Sequence, residues 1–91
     1  MIIKEFDNIV KKGNVLTEFY TDWCGKCKML DIELKKLDIS VLKINADENR
    51  DICKKYGVMS VPTLIYFKED GTYNSNSGFI TSEDIIDFMK K

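Results

Sequence analysis

The chain has 91 residues, a hydrophobic fraction of 44% and a formal net charge of −1 at pH 7. This length predicts one domain over residues 1–91, and the apolar fraction predicts a globular chain. Both signs of charge are spread along the chain without a basic run, which argues against a nucleic-acid partner. No apolar run approaches the roughly 18 residues that a membrane span needs, and Lys4 and Glu5 bring charge too early for a signal peptide. We therefore expect a cytoplasmic protein that has no membrane partner.

Hydrophobic spacing in the first half of the chain predicts strands that alternate with helices. The predicted elements are a short strand at Ile2–Ile3, a helix over Phe6–Val10 ended by Gly13–Asn14, a strand at Val15–Tyr20, a helix from about Cys24 to Leu37, and a strand at Ile39–Asn45. The apolar residues of the strand at 15–20 fall on both of its faces, as expected for a strand that is covered on both sides.

The second half predicts a helix, a hairpin and a closing helix. The predicted elements are a helix over Glu48–Tyr56 capped by Gly57, a strand at Thr63–Phe67, a turn at Asp70–Gly71 into a strand at Tyr73, and a helix over Thr81–Lys90. Taken together, the elements predict an α/β fold. Its central mixed sheet has parallel early strands, a hairpin for its last two strands, and helices on both faces.

Cys24 and Cys27 lie at the junction between a predicted strand and a predicted helix. The first turn of a helix has unpaired N–H groups and a partial positive charge, and both favour the reactive thiolate over the thiol. A C-x-x-C pair in this context predicts dithiol–disulfide exchange. The alternative is half of a zinc site, but zinc needs four ligands and the chain offers no histidine and only Cys53 in addition.

Three motifs that lie far apart occur together in this chain: Trp23-Cys24-Gly25-Lys26-Cys27-Lys28, Val61-Pro62-Thr63 before the long strand, and Gly78 after the hairpin. With them, the chain resembles the thioredoxin family over almost its whole length. The resemblance implies the thioredoxin fold and a general protein-disulfide reductase whose only redox centre is the cysteine pair, without a cofactor. It also implies a flavin-dependent thioredoxin reductase as electron donor, and ribonucleotide reductase, peroxiredoxin or methionine sulfoxide reductase as acceptors. We expect a monomer.

The resemblance also assigns roles to individual residues. Cys24 is expected to attack the substrate disulfide and Cys27 to release the product. Glu18 and Lys43 match a buried carboxylate and its lysine partner, and burial would let Glu18 take the proton of Cys27 near neutral pH. The alternatives are an edge position or a plain salt bridge for Glu18, and a solvated strand-end charge for Lys43.

The remaining site residues are expected to contact the substrate. The resemblance implies a cis Val61–Pro62 bond facing the cysteines, with the Val61 backbone free to pair with an extended substrate. The alternative for Pro62 is a proline tolerated at the start of a strand. Trp23 is expected to shield the nucleophile, Gly25 to allow close backbone approach, and Gly78 to leave room for the substrate chain.

The chain departs from the family pattern at four points. Lys26 replaces a proline, Ile32 stands where a second proline is usual, Glu18 replaces an aspartate, and the segment from 27 to 41 is several residues shorter. Lys26 affects the chemistry directly, because a cation between the thiols should stabilise the Cys24 thiolate and make the disulfide a stronger oxidant.

Two other functions remain open at this point. The first is a glutaredoxin-like reductase of glutathione mixed disulfides, which Trp23 and Glu18 disfavour. The second is a redox-inert binding module on the same fold, which the presence of both cysteines disfavours. The third cysteine, Cys53, is expected to share a face with neither Ile52 nor Tyr56. It is interpreted as a small tolerated residue, with a regulatory or dimer-forming thiol as the alternative.

Overall fold

The computed structural model describes residues 1–91, which form four helices and four strands. In chain order they are α1 (Ile3–Val10), β1 (Val15–Tyr20), α2 (Gly25–Lys35), β2 (Val41–Asn45), α3 (Arg50–Lys55), β3 (Thr63–Phe67), β4 (Tyr73–Ser77) and α4 (Ser82–Lys90). No helix combines the length with the apolar character that crossing a bilayer would require.

The four strands form one mixed sheet in the order β2-β1-β3-β4. β1 pairs in parallel with β2, and this register places Glu18 opposite Lys43. β1 and β3 are antiparallel, as are β3 and β4, which form the predicted hairpin. The mixed sheet with parallel early strands is therefore confirmed. Because β1 has a neighbour on each side, the edge position considered for Glu18 is wrong.

Helices cover both faces of the sheet, as predicted. On one face, α1 and α3 pack onto a cluster of aromatic and β-branched side chains, among them Phe6, Phe19 and Phe67. On the other face, α2 and α4 pack onto an aliphatic cluster that includes Leu30 and Leu64. Side chains alternate along β1, so Glu18 lies on the same face as Leu16, beneath α2 and α4.

The strand predicted at Ile2–Ile3 is wrong. Ile2 is the N-cap of α1, and Ile3 is the first residue of that helix. Ile3 and the buried Phe6 and Val10 follow the i, i+3, i+7 spacing of a helix, so the apolar face of α1 extends one turn further than the sequence pattern indicated. The N-terminal amine of Met1 donates a hydrogen bond to Asn49 Oδ1 at 2.7 Å, which holds this end against the start of α3.

The other boundaries agree closely with the prediction. The strands at 15–20 and 63–67 match residue for residue, and Thr81 caps α4 by accepting a hydrogen bond from the Asp84 N–H at 3.3 Å. The strand β2 begins at Val41 rather than Ile39, because pairing with β1 starts at Leu16 and Val41. The helices α2 and α3 are each shorter than predicted by one or two residues at either end.

Candidate active site

The two cysteines of the C-x-x-C motif form a disulfide at the start of α2. Cys24 is the N-cap of this helix, and its Sγ atom accepts a hydrogen bond from the Cys27 N–H at 3.1 Å. Their Cα atoms are 5.3 Å apart, within the usual range for a disulfide. A tight turn after β1, in which the Cys24 N–H donates to the Thr21 carbonyl at 3.4 Å, brings the chain from the sheet into the helix.

The geometry distinguishes the two sulfurs. Cys24 is 7% exposed and lines an open groove, whereas Cys27 is 2% exposed and does not line it. Once the disulfide is reduced, the Cys27 N–H and the positive end of α2 are placed to stabilise a negative charge on Cys24 Sγ. The arrangement therefore suits Cys24 to meet a substrate and Cys27 to act from behind it.

The groove beside Cys24 has a volume of about 640 Å³. It lies between the loop that follows β1, the loop from β2 to α3, and the loop that precedes β3. Its lining is largely apolar and includes Trp23, Cys24, Val58, Met59 and Val61. Met59 is 96% exposed and Trp23 is 73% exposed, so large apolar side chains project into solvent beside the reactive sulfur. Exposed apolar surface of this kind is characteristic of a protein-binding site.

Trp23 is held in place by a residue that the sequence did not reveal. Its indole Nε1–H donates a hydrogen bond to Asp47 Oδ2 at 2.9 Å. Asp47 belongs to the loop after β2, where the Asp47 and Glu48 N–H groups both donate to Asn45 Oδ1. The only sequence signal was an acidic residue just after a strand, which does not by itself point to a tryptophan 24 residues earlier.

The Val61–Pro62 peptide bond is cis, as the resemblance implied. Pro62 is buried, and its carbonyl accepts a hydrogen bond from the Gly78 N–H at 2.8 Å. Gly78 has φ +96°, a conformation that favours glycine, and a Cβ there would meet nothing within 4 Å. The structure thus brings Gly78 beside Pro62. It places Gly25 and Lys26 in the first turn of α2, exposed and outside the lining of the groove.

Glu18 is fully buried on β1, and neither carboxyl oxygen has a hydrogen-bond partner. Its nearest cation is Lys43, whose Nζ lies 3.8 Å from Glu18 Oε1. Burial, the largest cause, and the nearby Asp31 carboxyl together raise the pKa of Glu18 to about 8, although Lys43 opposes the rise. A carboxyl that titrates near neutral pH can accept or return a proton under ordinary conditions.

Asp31 is a member of this site that the sequence analysis missed. Its Oδ2 atom accepts a hydrogen bond from Lys43 Nζ at 3.0 Å. The Lys43 ammonium also lies 4.7 Å from the centre of the Tyr20 ring. Burial alone lowers the pKa of Lys43, but the Asp31 and Glu18 carboxylates outweigh it, so the net direction is upward. The available signal was spacing, since Asp31 lies four residues after Cys27 and so on the same face of α2.

The orientation expected for Cys53 is wrong. Its side chain belongs to the same buried cluster as Ile52, with 8% exposure, and it also contributes to the wall of the Cys24 groove. Burial is the main reason that its pKa is raised, with the Asp51 carboxylate as a further cause. No group of three or more His, Cys, Asp or Glu side chains is arranged to hold a metal ion.

A family model described as thioredoxin matches residues 2–91 of the chain. The thioredoxin of Bacillus subtilis is 35% identical over 94 aligned residues, which cover 97% of this chain and 90% of that protein. The thioredoxin of Staphylococcus aureus is 37% identical over 93 residues, covering 96% of this chain and 89% of that protein. Both relatives are matched over nearly their full length.

Solved thioredoxin structures also superpose on this chain. Mitochondrial thioredoxin 3 from Saccharomyces cerevisiae, in its oxidised form, superposes with a TM-score of 0.83 at 30% identity, covering 98% of this chain and 90% of that one. A mutant thioredoxin from Halobacterium salinarum superposes with a TM-score of 0.82 at 33% identity, covering 96% of this chain and 81% of that one. With the Cys24–Cys27 disulfide at the start of α2, these matches make the chain a thiol–disulfide oxidoreductase that acts on protein disulfides. It belongs to the thioredoxin family.

Proposed function

We propose that residues 1–91 work as one thioredoxin domain that carries two electrons at a time from a reductase to protein disulfides. The observation that carries this proposal is the unequal placement of the two sulfurs, because Cys24 borders an open apolar groove while Cys27 lies behind it. The cysteine pair stores both electrons, so no further cofactor is required.

In the first step, the Cys24 thiolate attacks one sulfur of a substrate disulfide. A bond forms between Cys24 Sγ and that sulfur, the substrate S–S bond breaks, and the second substrate sulfur leaves as a thiolate. The hydrogen bond from the Cys27 N–H and the start of α2 support the thiolate form of Cys24. Lys26, in the same helical turn, adds a positive charge that favours the same form.

In the second step, Cys27 loses its proton and attacks Cys24 Sγ. The mixed disulfide breaks, the Cys24–Cys27 disulfide forms, and the first substrate sulfur leaves as a thiolate, so the substrate gains two electrons and this chain loses them. We propose that Glu18 accepts the proton that Cys27 loses. Glu18 lies on the sheet face covered by α2 and has a pKa of about 8. Lys43, 3.8 Å from Glu18, tunes that carboxyl.

The substrate-binding surface is assigned to the groove and its rim. Trp23 and Val61 line it beside Cys24, and Pro62, which follows Val61 directly, accepts a hydrogen bond from the Gly78 N–H. An extended substrate segment would pair with the Val61 backbone as an added strand. Gly25 and Lys26, exposed in the first turn of α2 outside the groove lining, would contact the part of the substrate that extends past Cys24. Trp23, fixed by Asp47, would cover the mixed disulfide.

Insulin reduction tests the chemistry directly. Wild type should reduce insulin catalytically in the presence of a reductant. Cys24→Ser should lose this activity, and Cys27→Ser should stop at the mixed disulfide and remain covalently attached to insulin. Cys53→Ser is the matched control and should keep wild-type activity. Catalysis by Cys24→Ser at the wild-type rate would contradict the proposal.

The partners and the compartment are part of the proposal. We assign a flavin-dependent thioredoxin reductase as the electron donor, and ribonucleotide reductase, peroxiredoxin or methionine sulfoxide reductase as the kinds of acceptor, in the cytoplasm and with the chain as a monomer. Cys27→Ser, used as bait in a lysate, should retain its acceptors as mixed disulfides that reductant releases. A glutathione-coupled assay separates the glutaredoxin-like alternative, which requires turnover of glutathione mixed disulfides without a thioredoxin reductase.

A further inference from the structure

A second opening reaches the sheet beneath α2. It is an open cavity of about 300 Å³ between α2 and β2, and it shares no lining residue with the Cys24 groove. Glu18 forms its buried end, whereas the side chains of Asp31 and Lys43 are 30% and 44% exposed. Glu18, which is proposed to take the proton of Cys27, therefore faces an opening that is bordered by the Asp31 carboxylate and the Lys43 ammonium.

The two carboxyl groups share Lys43 unequally. Lys43 Nζ lies 3.0 Å from Asp31 Oδ2, a hydrogen-bond distance, but 3.8 Å from Glu18 Oε1, which is too long for one. Asp31 thus receives the hydrogen bond of the one cation in contact with both groups. Glu18 retains no hydrogen-bond partner on either oxygen.

This arrangement disfavours a negative charge on Glu18 for two separate reasons. The ionised Asp31 is a like charge nearby, and it also binds the hydrogen-bond donor that would otherwise stabilise a Glu18 carboxylate. Burial acts in the same direction, and the raised pKa of Glu18 agrees with the geometry. Without Asp31, Lys43 could turn its hydrogen bond to Glu18.

We propose that Asp31 is a positioning residue for the redox reaction, which keeps Glu18 neutral near neutral pH by holding Lys43 and by carrying its own negative charge. It thereby sets the pH range over which Glu18 becomes able to accept a proton. The inference rests on the proposed role of Glu18 toward Cys27. Asp31 lies one helical turn after Cys27 on α2, so the same helix carries the attacking thiol and the group that controls its acceptor.

Few other charged or titratable groups face Glu18. Lys35 on α2 lines the same opening and forms no ion pair, and Tyr20 lies two residues along β1 beneath the Lys43 ammonium. The neighbours on this face from the other packed elements are Leu64 and Tyr66 from β3 and Ile85 and Phe88 from α4, and the one hydroxyl among them, that of Tyr66, donates its hydrogen bond to Asn14 Oδ1. Cys27, buried on α2, is the thiol whose proton Glu18 is proposed to take. Asp31 and Lys43 are therefore the two charges that contact or adjoin the buried carboxyl.

The test is a direct titration of the Glu18 carboxyl carbon by ¹³C NMR in the oxidised protein. In Asp31→Asn, the Glu18 midpoint should move to lower pH by about one pH unit, which raises the ionised fraction at pH 7 about five-fold. Asp31→Glu, which keeps the charge and can still reach Lys43, should restore the wild-type midpoint. If Asp31 only supported the fold, Asp31→Glu would not restore the Glu18 midpoint.

A second variant fixes the direction of the effect. Lys43→Gln removes the cation and should move the Glu18 midpoint to higher pH, opposite to Asp31→Asn. If Asp31 instead served to orient Lys43 toward Glu18, Asp31→Asn would raise the midpoint as well. A raised or unmoved midpoint in Asp31→Asn overturns the proposal.

The proton-acceptor role of Glu18 is tested separately. The rate at which Cys27 resolves a trapped mixed disulfide should rise with pH as Glu18 ionises, and in Asp31→Asn this rise should begin at lower pH. If the NMR midpoint moves while the pH profile of resolution does not, the control by Asp31 stands and the proton-acceptor role is refuted. If neither moves, the control by Asp31 is refuted.

Discussion

The two faces of the sheet are built on different principles. The face beneath α1 and α3 is a packed aromatic cluster, in which Phe6 contacts Phe19, Tyr56 and Phe67 with ring centres 5.4 to 6.1 Å apart. The face beneath α2 and α4 is aliphatic but buries the unpartnered carboxyl of Glu18. A buried polar group without a hydrogen-bond partner costs stability. Because Glu18 lies on the face beneath α2 and α4, that face carries the chemistry, whereas the face beneath α1 and α3 mainly stabilises the fold.

The largest expected effect comes from the aromatic face. Phe6→Ala removes a fully buried ring from among three aromatic neighbours, and it should lower the free energy of unfolding by about 4 kcal/mol. Denaturant unfolding of the oxidised protein measures this change. Insulin reduction at a temperature where the variant is folded should be unchanged, because no redox residue contacts this ring. Phe79→Ala, at a phenylalanine that lies outside both core clusters and is 37% exposed, is the control and should cost less.

The next effect has the opposite sign and comes from the chemical face. The pKa of Glu18 is raised to about 8, above its value in an unfolded chain, so the folded state holds its proton more tightly. The stability of wild type should therefore fall as pH rises from about 4.5 to 8, as the unfolded chain but not the folded protein releases this proton. Glu18→Gln removes that dependence and should be more stable than wild type by about 4 kcal/mol at pH 8.

The same variant should be slower at resolving a mixed disulfide, since a glutamine cannot accept the proton of Cys27. Urea unfolding of oxidised protein at pH 4.5 and pH 8, together with the resolution rate, measures both effects. Equal stability of wild type and Glu18→Gln at pH 8 would contradict the account of a destabilising buried carboxyl. A gain in stability at pH 4.5 equal to that at pH 8 would point to packing instead of charge.

How well the two faces of the sheet could be predicted from the sequence depends on how far apart in the chain the interacting residues lie. The strands at 15–20 and 63–67 and the position of Cys24 and Cys27 follow from local signals, namely runs of β-branched and aromatic residues and a change of hydrophobic period. Ile2 and Ile3 gave too short a run to distinguish a strand from the first turn of a helix. There the tertiary packing of the apolar face of α1 decided the outcome.

The parts of the site that escaped prediction depend on contacts between distant segments. The contact of Lys43 with Asp31 requires both the parallel register of β1 with β2 and the rotation of α2 over the sheet. The bond between Asp47 and Trp23 joins two loops, and the burial of Cys53 depends on how α3 tilts onto the sheet. Sequence spacing fixes none of these rotations.

A smaller effect is expected at the start of α2, where Lys26 places a positive charge between the two cysteines. Lys26→Pro should lower the reduction potential by about 20 mV, equivalent to about 1 kcal/mol for a two-electron couple. The reason is that the cation stabilises the Cys24 thiolate, and so favours the reduced form. Equilibration against glutathione measures the change, and Lys26→Gln separates the loss of charge from the stiffness of proline. A wild-type potential equal to or below that of Lys26→Pro refutes this role.

The smallest effect is expected at the rim of the groove. Asp47→Ala removes the hydrogen bond that holds the Trp23 indole and should reduce kcat/KM for insulin about three-fold, which corresponds to less than about 1 kcal/mol. Glu48→Ala removes the same charge from the neighbouring position, where the side chain makes no hydrogen bond, and is the matched control. Equal losses in the two variants would assign the effect to charge and not to the position of the indole.

The burial of Cys53 affects how many free thiols are detected when the oxidation state of this protein is measured. Its thiol is 8% exposed and has a raised pKa, so it ionises and reacts slowly while the chain is folded. An alkylating reagent applied to the folded, reduced protein should therefore label Cys24, whose thiolate the Cys27 N–H stabilises, ahead of Cys53. Full labelling, which includes the 2% exposed Cys27, should require denaturant. Mass-shift assays that omit denaturant will consequently undercount thiols, and will mistake shielded cysteines for oxidised ones.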